Sequence, residues 1–502
     1  MITASRKHFF PLGYSTPTES KWAFSARSSC AACLRHFAVA TLFLLLASQQ
    51  AFSLESRPAK ADAALPPGEA RTGYFSDDLK DANGEFIIHY ALDTPTQLPK
   101  KRELGLIIAM HGNGHQAEEH AKSWKGVVTL GKVDQEYIVL ALKSRIHSWT
   151  QVDEPLITKA IDWVLATYPI DRRRVHLAGF SAGAAYTLVY GSRHQERFAT
   201  LSAYCAGRDV GVPLGGRDMA PGIYLHFGGA DSALPPNHGQ GTRDVVQAAG
   251  YRYVCRIPIG VGHEYGPAAT VMLDNLRWMH QSRSHHVPLE PEQNEFVQKA
   301  MKDAKSAEGI WTDPALATQA LFIGGHYAQA IALKAIKAKS EAVRINIAKA
   351  AANGLFGAEM LLALGENLDD KSAKVRKESI AALAPAANWN WPEAKMLLAQ
   401  FATDKKNAVE ERCAATQALV DATVMIALAE KYDDNVIVPT LVKLLDSPDQ
   451  AVRTVAFTGL SRINAQTFGY DPSTKERKKA LEGWLTWLNG KCGSYKEAPL
   501  TK

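Results

Sequence analysis

Residues 171–190 read DRRRVHLAGFSAGAAYTLVY, and few folds accommodate such a stretch. Val175-His176-Leu177-Ala178 reads as a short strand. Ala184, Ala185, Leu188 and Val189 open a helix of small residues. Between them stands Gly179-Phe180-Ser181-Ala182-Gly183, the pattern G-x-S-x-G. A strand and a helix joined this tightly put the serine at the apex of a strained turn. Only small neighbours let the two elements pack so close; Gly179 and Gly183 meet that need, helped by Ala182 and Ala184. The pentapeptide alone is within reach of chance, and its flanks give it weight.

The surrounding pattern repeats the theme. Residues 84–92 read as a strand; residues 105–110, GLIIAM, form a continuous apolar run of the kind a buried parallel strand shows. Further apolar runs lie at 137–142, 223–227 and 251–259, with a weaker one at 198–204. Helical spacing appears at 154–168, 242–250 and 270–279. Strands alternating with helices predict an α/β unit, a mostly parallel sheet covered on both faces in three layers.

A serine hydroxyl needs a base within hydrogen-bond reach, and the base needs an orienting acid. Loops at the carboxyl ends of neighbouring strands can bring such residues together, so candidates are sought there. Ser181 is followed by Asp231, just past the strand ending at Phe227, and then by His263, past the strand ending at Ile259. Asp209, Asp218 and Asp244 are rival acids, Asp209 foremost because it follows a possible strand end. Among other histidines, His226 lies inside a strand, His238 in a proline-rich loop that could line the site, and His194 after the elbow helix. Two fixed donors must meet a developing oxyanion. The backbone N–H of Ala182 is one. The small-residue loop His111-Gly112-Asn113-Gly114 supplies the other, with Asn113 ahead of Gly114; His111 itself braces the loop.

With these residues in place, the segment from about Gly84 to His280 resembles the α/β-hydrolase superfamily. Within it, Tyr168-Pro169-Ile170-Asp171, Arg174-Val175 and the elbow are similar to secreted polyhydroxybutyrate depolymerases and feruloyl esterases. Their strand and His-Gly loop correspond to Ile108-Ala109-Met110-His111-Gly112, and their acid and histidine to Asp231 and His263. Ala184 replaces a second glycine, Asn113-Gly114-His115 is poorer in glycine, and only Tyr265 remains of the aromatics after the histidine. The resemblance implies a serine ester hydrolase without metal or organic cofactor, and leaves the acyl and alcohol groups open. Residues 205–221 are polar and glycine-rich, which argues against an amphipathic lid and for an open site suited to a polymer or carbohydrate ester.

Beyond a Pro- and His-containing break, everything reads as helix. Glu341-Ala342-Val343-Arg344 and Ala373-Lys374-Val375-Arg376 each open an Ala-rich helix, as do Ala408-Val409-Glu410-Glu411-Arg412 and Ala451-Val452-Arg453. This loose recurrence resembles HEAT repeats, stacked helical pairs that support or bind a partner protein. Trp389, Trp391, Trp484 and Trp487 read as core aromatics. The expected organisation is a signal peptide at 1–53, a tether at 54–71, the catalytic unit at 72–284, a linker at 285–295 and helical repeats at 296–502.

The formal net charge is +6, of which five cations less Glu19 place +4 before Leu54, leaving +2 for the rest. Bulk charge therefore gives no argument for nucleic acid. The apolar run at 37–47 follows basic residues and is too short to span a bilayer, so export to the periplasm or outside the cell is expected, with no membrane span after cleavage. Cys205, Cys255, Cys413 and Cys492 are too scattered for a disulfide framework or a zinc motif. The reading is an exported serine esterase acting on a small or polymeric ester. A prolyl-oligopeptidase-type peptidase, or a helical-repeat binding protein with a degenerate hydrolase unit, is the alternative.

Overall fold

The structure is a computed structural model that describes residues 68–491, apart from 115, 208, 236, 259, 267–270, 307–308, 353–356 and 424–434. The signal and most of the tether lie outside the described residues. Among the described residues no helix is long and apolar enough to cross a membrane.

Eight strands form one sheet: β1 (Gly73–Lys80), β2 (Phe86–Thr94), β3 (Leu104–Met110), β4 (Tyr137–Leu142), β5 (Ile170–Phe180), β6 (Thr200–Tyr204), β7 (Gly222–His226) and β8 (Tyr253–Arg256). Their order is β1-β2-β4-β3-β5-β6-β7-β8, antiparallel at β1–β2 and β2–β4 and parallel from there on. The central strands are buried along their whole length because helices cover both faces. These are α1 (Ala117–Leu130), α2 (Glu154–Thr167), α3 (Ala182–Arg193), α4 (His238–Ala249) and α5 (Leu273–Gln281). Leu106, Ile108, Met110 and Leu177 pack with α2 and α3 on one face; Ile107, Ala109 and Ala178 pack with α1 and α5 on the other. This is the α/β-hydrolase fold. Its chain runs to β4 on one side of β3 and to β5 on the other, which opens a crevice at their carboxyl ends.

The strand β1 escapes sequence reading because its FSDDLK run shows no clean alternation and only Leu79 is buried. It is an edge strand held by its pairing with β2.

The remainder is helical: α6 (Pro291–Ser306), α7 (Pro314–Gly324), α8 (His326–Ala335), α9 (Glu341–Ala351), α10 (Ala358–Glu366), α11 (Ala373–Asn388), α12 (Pro392–Thr403), α13 (Val409–Thr423), α14 (Ile437–Leu444), α15 (Gln450–Ile463) and α16 (Lys478–Lys491). Helices α7, α9, α11, α13 and α15 stack in one row, and α8, α10, α12 and α14 in another. The recurring Val-Arg pairs explain the stacking. Val343, Val375 and Val452 are buried, and the side chains of Ser340 and Ser372 cap α9 and α11 by accepting from the N–H groups of Val343 and Val375. Three of the arginines cross to the next pair: Arg344 to Asp370 at 2.7 Å, Arg376 to Glu411 at 2.9 Å and Arg412 to Asp449, whereas Arg453 donates to the Pro472 carbonyl at 2.8 Å.

One apolar core runs from the α1–α5 face of the sheet into these helices. Trp278 on α5 meets Trp389 with ring centroids 5.3 Å apart. Arg252 lies over both Trp278 and Trp391, and Trp389 donates to Gln281 at 2.8 Å. Trp389 and Trp391 are thus core residues, as expected, and so is Trp484. Arg173, at the start of β5, donates to the Ile323 carbonyl on α7.

Candidate active site

Strand β5 ends at Phe180, and Ser181 turns the chain with φ 51° and ψ −120°. Residues with a side chain rarely enter that region, at a cost of order 1–3 kcal/mol. The geometry needs its glycines. A Cβ on Gly179 would stand 2.2 Å from the Gly183 carbonyl oxygen, and one on Gly183 would stand 2.4 Å from that of Met110. The Ser181 N–H donates to the Tyr204 carbonyl at 2.8 Å, tying the turn to β6.

The three residues picked by chain order come together. Ser181 Oγ lies 2.9 Å from His263 Nε2, and His263 Nδ1 lies 2.8 Å from Asp231 Oδ2. A carboxylate only accepts, so Nδ1 carries the proton and Nε2 is left to accept from the serine. Asp231 Oδ1 accepts from the Ala233 N–H at 2.9 Å, which fixes the carboxylate. The loops bearing acid and base are stitched main chain to main chain: Gly229 N–H to the Pro258 carbonyl and Ala230 N–H to that of Val261, both at 2.8 Å. Gly228 permits this, since a Cβ there would fall 2.0 Å from the Gly262 oxygen.

The loop after β3 is held rigidly. Ser144 N–H donates to His111 Nε2 at 2.9 Å, so His111 Nδ1 carries the proton and bonds the Gly112 carbonyl at 2.6 Å. Trp149 Nε1 donates to the His111 carbonyl at 2.8 Å. Gly114 spends its N–H on the His147 carbonyl at 3.0 Å, which favours Asn113 as this loop's free donor. Ala182 is the first residue of α3, where a backbone N–H lacks a helical partner. Gly112 closes the approach: a Cβ on it would lie 3.1 Å from Ser181 Cβ.

Sequence reading missed the brace beneath this loop. Asp153, fully buried, accepts from the N–H groups of Arg145 and Thr150 and so shapes the segment that carries Ser144 and Trp149. The signal was present as Thr150-x-x-Asp153, which forms a capping box. Also missed was Cys205, which follows β6 and whose thiol donates to the Glu264 carbonyl at 3.0 Å. Burial, with Asp231 and Glu264 nearby, pushes that thiol up to about 12. Nothing in the sequence around Cys205 marks it; the pairing of β6 with β7 brings it to the acid. Tyr265 proves to be more than a remnant aromatic. Its hydroxyl lies 2.6 Å from His120 Nδ1, and its ring packs on Phe180, which also touches the His263 ring.

The rivals are engaged elsewhere. Asp209 is exposed, Asp218 pairs with Arg217 and accepts from Ala358 N–H, and Asp244 on α4 pairs with Arg243. Buried in the sheet, His226 is lowered to about 4 by desolvation. His238 opens α4, accepts from the Gly207 N–H and packs on Phe227, and His194 bonds Glu154.

No protein-family model matches this chain, and no curated protein matches it. Solved structures similar to it include hydrolases. The S-formylglutathione hydrolase of Staphylococcus aureus is 13% identical, with 42% of this chain and 99% of that one covered, at a TM-score of 0.32. For the acetyl xylan esterase of Aspergillus awamori the values are 15%, 38%, 94% and 0.29. A puromycin-hydrolyzing peptidase of Mycobacterium tuberculosis is 17% identical, with 42% and 39% covered, at 0.34.

Proposed function

We propose that this chain is an exported serine hydrolase that cleaves carboxylic esters through an acyl-enzyme. One observation carries the reading: the unbroken relay from Ser181 Oγ through the His263 ring to Asp231, set on a left-handed serine. Ser181 Oγ attacks the ester carbonyl while His263 Nε2 takes its proton. The negative oxygen of the tetrahedral intermediate is met by the N–H groups of Ala182 and Asn113. His263 then gives the proton to the leaving alcohol, and water repeats the sequence on the acyl-serine. Asp231 holds the ring in the tautomer that can accept, and stabilises it once charged. The acyl transfer calls for no metal or organic cofactor.

Esters of polymers or carbohydrates suit the polar, glycine-rich segment 205–221 better than lipid droplets do. The helical half reads as HEAT-like repeats that position the hydrolase on its substrate or on a protein partner. The stacked rows and the Arg–acid pairs between successive helices support that assignment.

A fluorophosphonate probe tests the enzyme reading. The protein is expected to label stoichiometrically and Ser181→Ala not at all. Failure to label, or labelling that survives the substitution, refutes it. On p-nitrophenyl, feruloyl and peptide substrates, turnover of the esters with none of the peptides is expected. The reverse pattern makes the chain a peptidase.

A further inference from the structure

Behind the relay sits a group that acyl transfer does not use. Cys205 is fully buried and unpaired as a disulfide. Its Sγ, a carboxylate oxygen of Asp231 and a ring nitrogen of His263 all lie within 4.8 Å of one another. The nitrogen turned to Asp231 is Nδ1, because Nε2 faces Ser181.

We propose that Cys205, Asp231 and His263 form a binding site for a thiophilic divalent cation, zinc foremost, and that occupancy switches Ser181 off. The inhibitory half of this inference rests on the catalytic reading of Ser181; the binding half does not. Thiolate, imidazole and carboxylate are the ligand types zinc takes, at about 2.3, 2.0 and 2.1 Å. Tetrahedral ligands at those lengths stand about 3.5 Å apart, so the site is completed when Cys205 Sγ draws in by about an ångström while Nδ1 and Oδ2, now 2.8 Å apart, part to admit the ion, with water as fourth ligand.

Charge and protons balance. The dication meets one thiolate and one carboxylate, so the buried site is neutral, the condition under which burial is cheapest. The thiol proton leaves to solvent. On His263 the metal takes the Nδ1 lone pair, and the ring proton moves to Nε2. One proton is released in all. With a proton on Nε2, His263 donates toward Ser181 Oγ and can no longer accept from it, so the nucleophile loses its base. A hard cation such as magnesium has no use for the thiolate. The His263 side chain is the most exposed of the three, which places the entry on the substrate side.

The test uses the full chain with metal-buffered Zn2+, Co2+ and Mg2+. Zinc is expected to inhibit ester turnover reversibly, with recovery on adding a chelator. Magnesium is expected to have no effect. In Cys205→Ser and Cys205→Ala, zinc inhibition is expected to weaken at least 10-fold, read as a ratio within each variant so that altered basal rates do not matter. Labelling by the fluorophosphonate reports that the variants are folded. Independently of turnover, Co2+ is expected to give a thiolate-to-cobalt charge-transfer band in the wild type that both variants lack. An absent band, or a band unchanged in the variants, overturns the site even where esters are hydrolysed. A band with no ester turnover keeps the site and refutes only the catalytic reading. Zinc inhibition undiminished in the Cys205 variants overturns the proposal.

Discussion

The Nδ1 atoms of His285 and His326 lie 2.8 Å apart across the seam between the hydrolase sheet and the helical half. Two imidazoles that close can share one proton and cannot both be charged. Every charged neighbour is a cation or can become one: Arg173 and Arg252 face the pair, with His286 beside it. Burial first, and these cations second, lower His285 to about 2 and His326 to about 4.

The sign follows from linkage. Both groups are neutral when folded and take up protons when unfolded, below the ordinary histidine value of about 6.5. Stability therefore falls as pH drops below about 6.5; the loss from His326 is complete near 4, where it titrates in the folded state, and that from His285 runs on to about 2. The melting temperature is expected to drop by several degrees between pH 6.5 and 4.5, and His326→Gln to flatten that slope. Thermal melts across the range decide it, and an equal slope in the variant refutes it.

A second serine, histidine and aspartate meet on the β1–β2 edge, and their chemistry is the opposite. His89 Nδ1 is 2.7 Å from Asp78 and its Nε2 is 3.1 Å from Ser76 Oγ, but Nε2 also lies 2.8 Å from Glu118. Partial burial lowers the His89 pKa, yet the bonds to Glu118 and Asp78 outweigh it and raise the net value. Bound by carboxylates on both nitrogens, the ring is an imidazolium and cannot take a proton from Ser76. The probe is expected to leave Ser76 unlabelled in wild type and in Ser181→Ala, as peptide mass mapping will show. This clasp contributes stability below the free-histidine value and loses it as pH rises through the folded value.

Ser181 and Gly325 share one backbone conformation: φ 51° and ψ −120° for the first, φ 52° and ψ −129° for the second. At residue 325 the chain uses glycine; at residue 181 it tolerates strain of about 1–3 kcal/mol because the hydroxyl must stand at the apex. Ser181→Gly is expected to melt about 2 °C or more above Ser181→Ala, since glycine relieves the strain. Gly325→Ala is expected to lose about 1–3 kcal/mol, and its Cβ also meets Arg173 Nη2 at 3.1 Å. Urea unfolding of the three variants checks both. A Ser181→Gly protein no more stable than Ser181→Ala removes the strain argument.

Much of this site was legible because the reaction restricts the residue types and the fold restricts their chain order. Ser181 and Asp231 follow the buried strands β5 and β7, and such strands announce themselves, while His263 lies beyond the half-buried β8. What stayed hidden depends on register and on long-range packing. Cys205 reaches Asp231 only through the pairing of Tyr204 with His226. Strand β1 has one buried side chain, so its sequence carries no periodic mark. Trp389 read as core from the sequence, but no spacing could say that it shares one core with Trp278 across the two halves.

The arginines between helical pairs were legible as a recurrence, and the structure gives them a testable weight. Arg344 binds Asp370 with two nitrogens, at 2.7 and 3.2 Å, and also donates to the Ala338 and Lys339 carbonyls. Both side chains of the pair are about nine-tenths buried, 9% and 11% exposed. Burial alone would raise the Asp370 carboxyl, but the Ser372 N–H, and then Arg344, hold it below its ordinary range. Removing one partner leaves the other charge buried, at a cost of about 3–5 kcal/mol. Arg344→Met is therefore expected to destabilise by about 3 kcal/mol. Arg344→Met combined with Asp370→Leu should cost less than the sum of the single changes, because no lone charge remains. Denaturant midpoints for the four proteins close the cycle, and strict additivity would show that the pair does not act as a unit. Since the helical core is continuous with the α1–α5 face of the sheet, Arg344→Met is also expected to lower the temperature at which fluorophosphonate labelling of Ser181 is lost. A labelling profile that ignores the substitution would mean the two halves unfold independently.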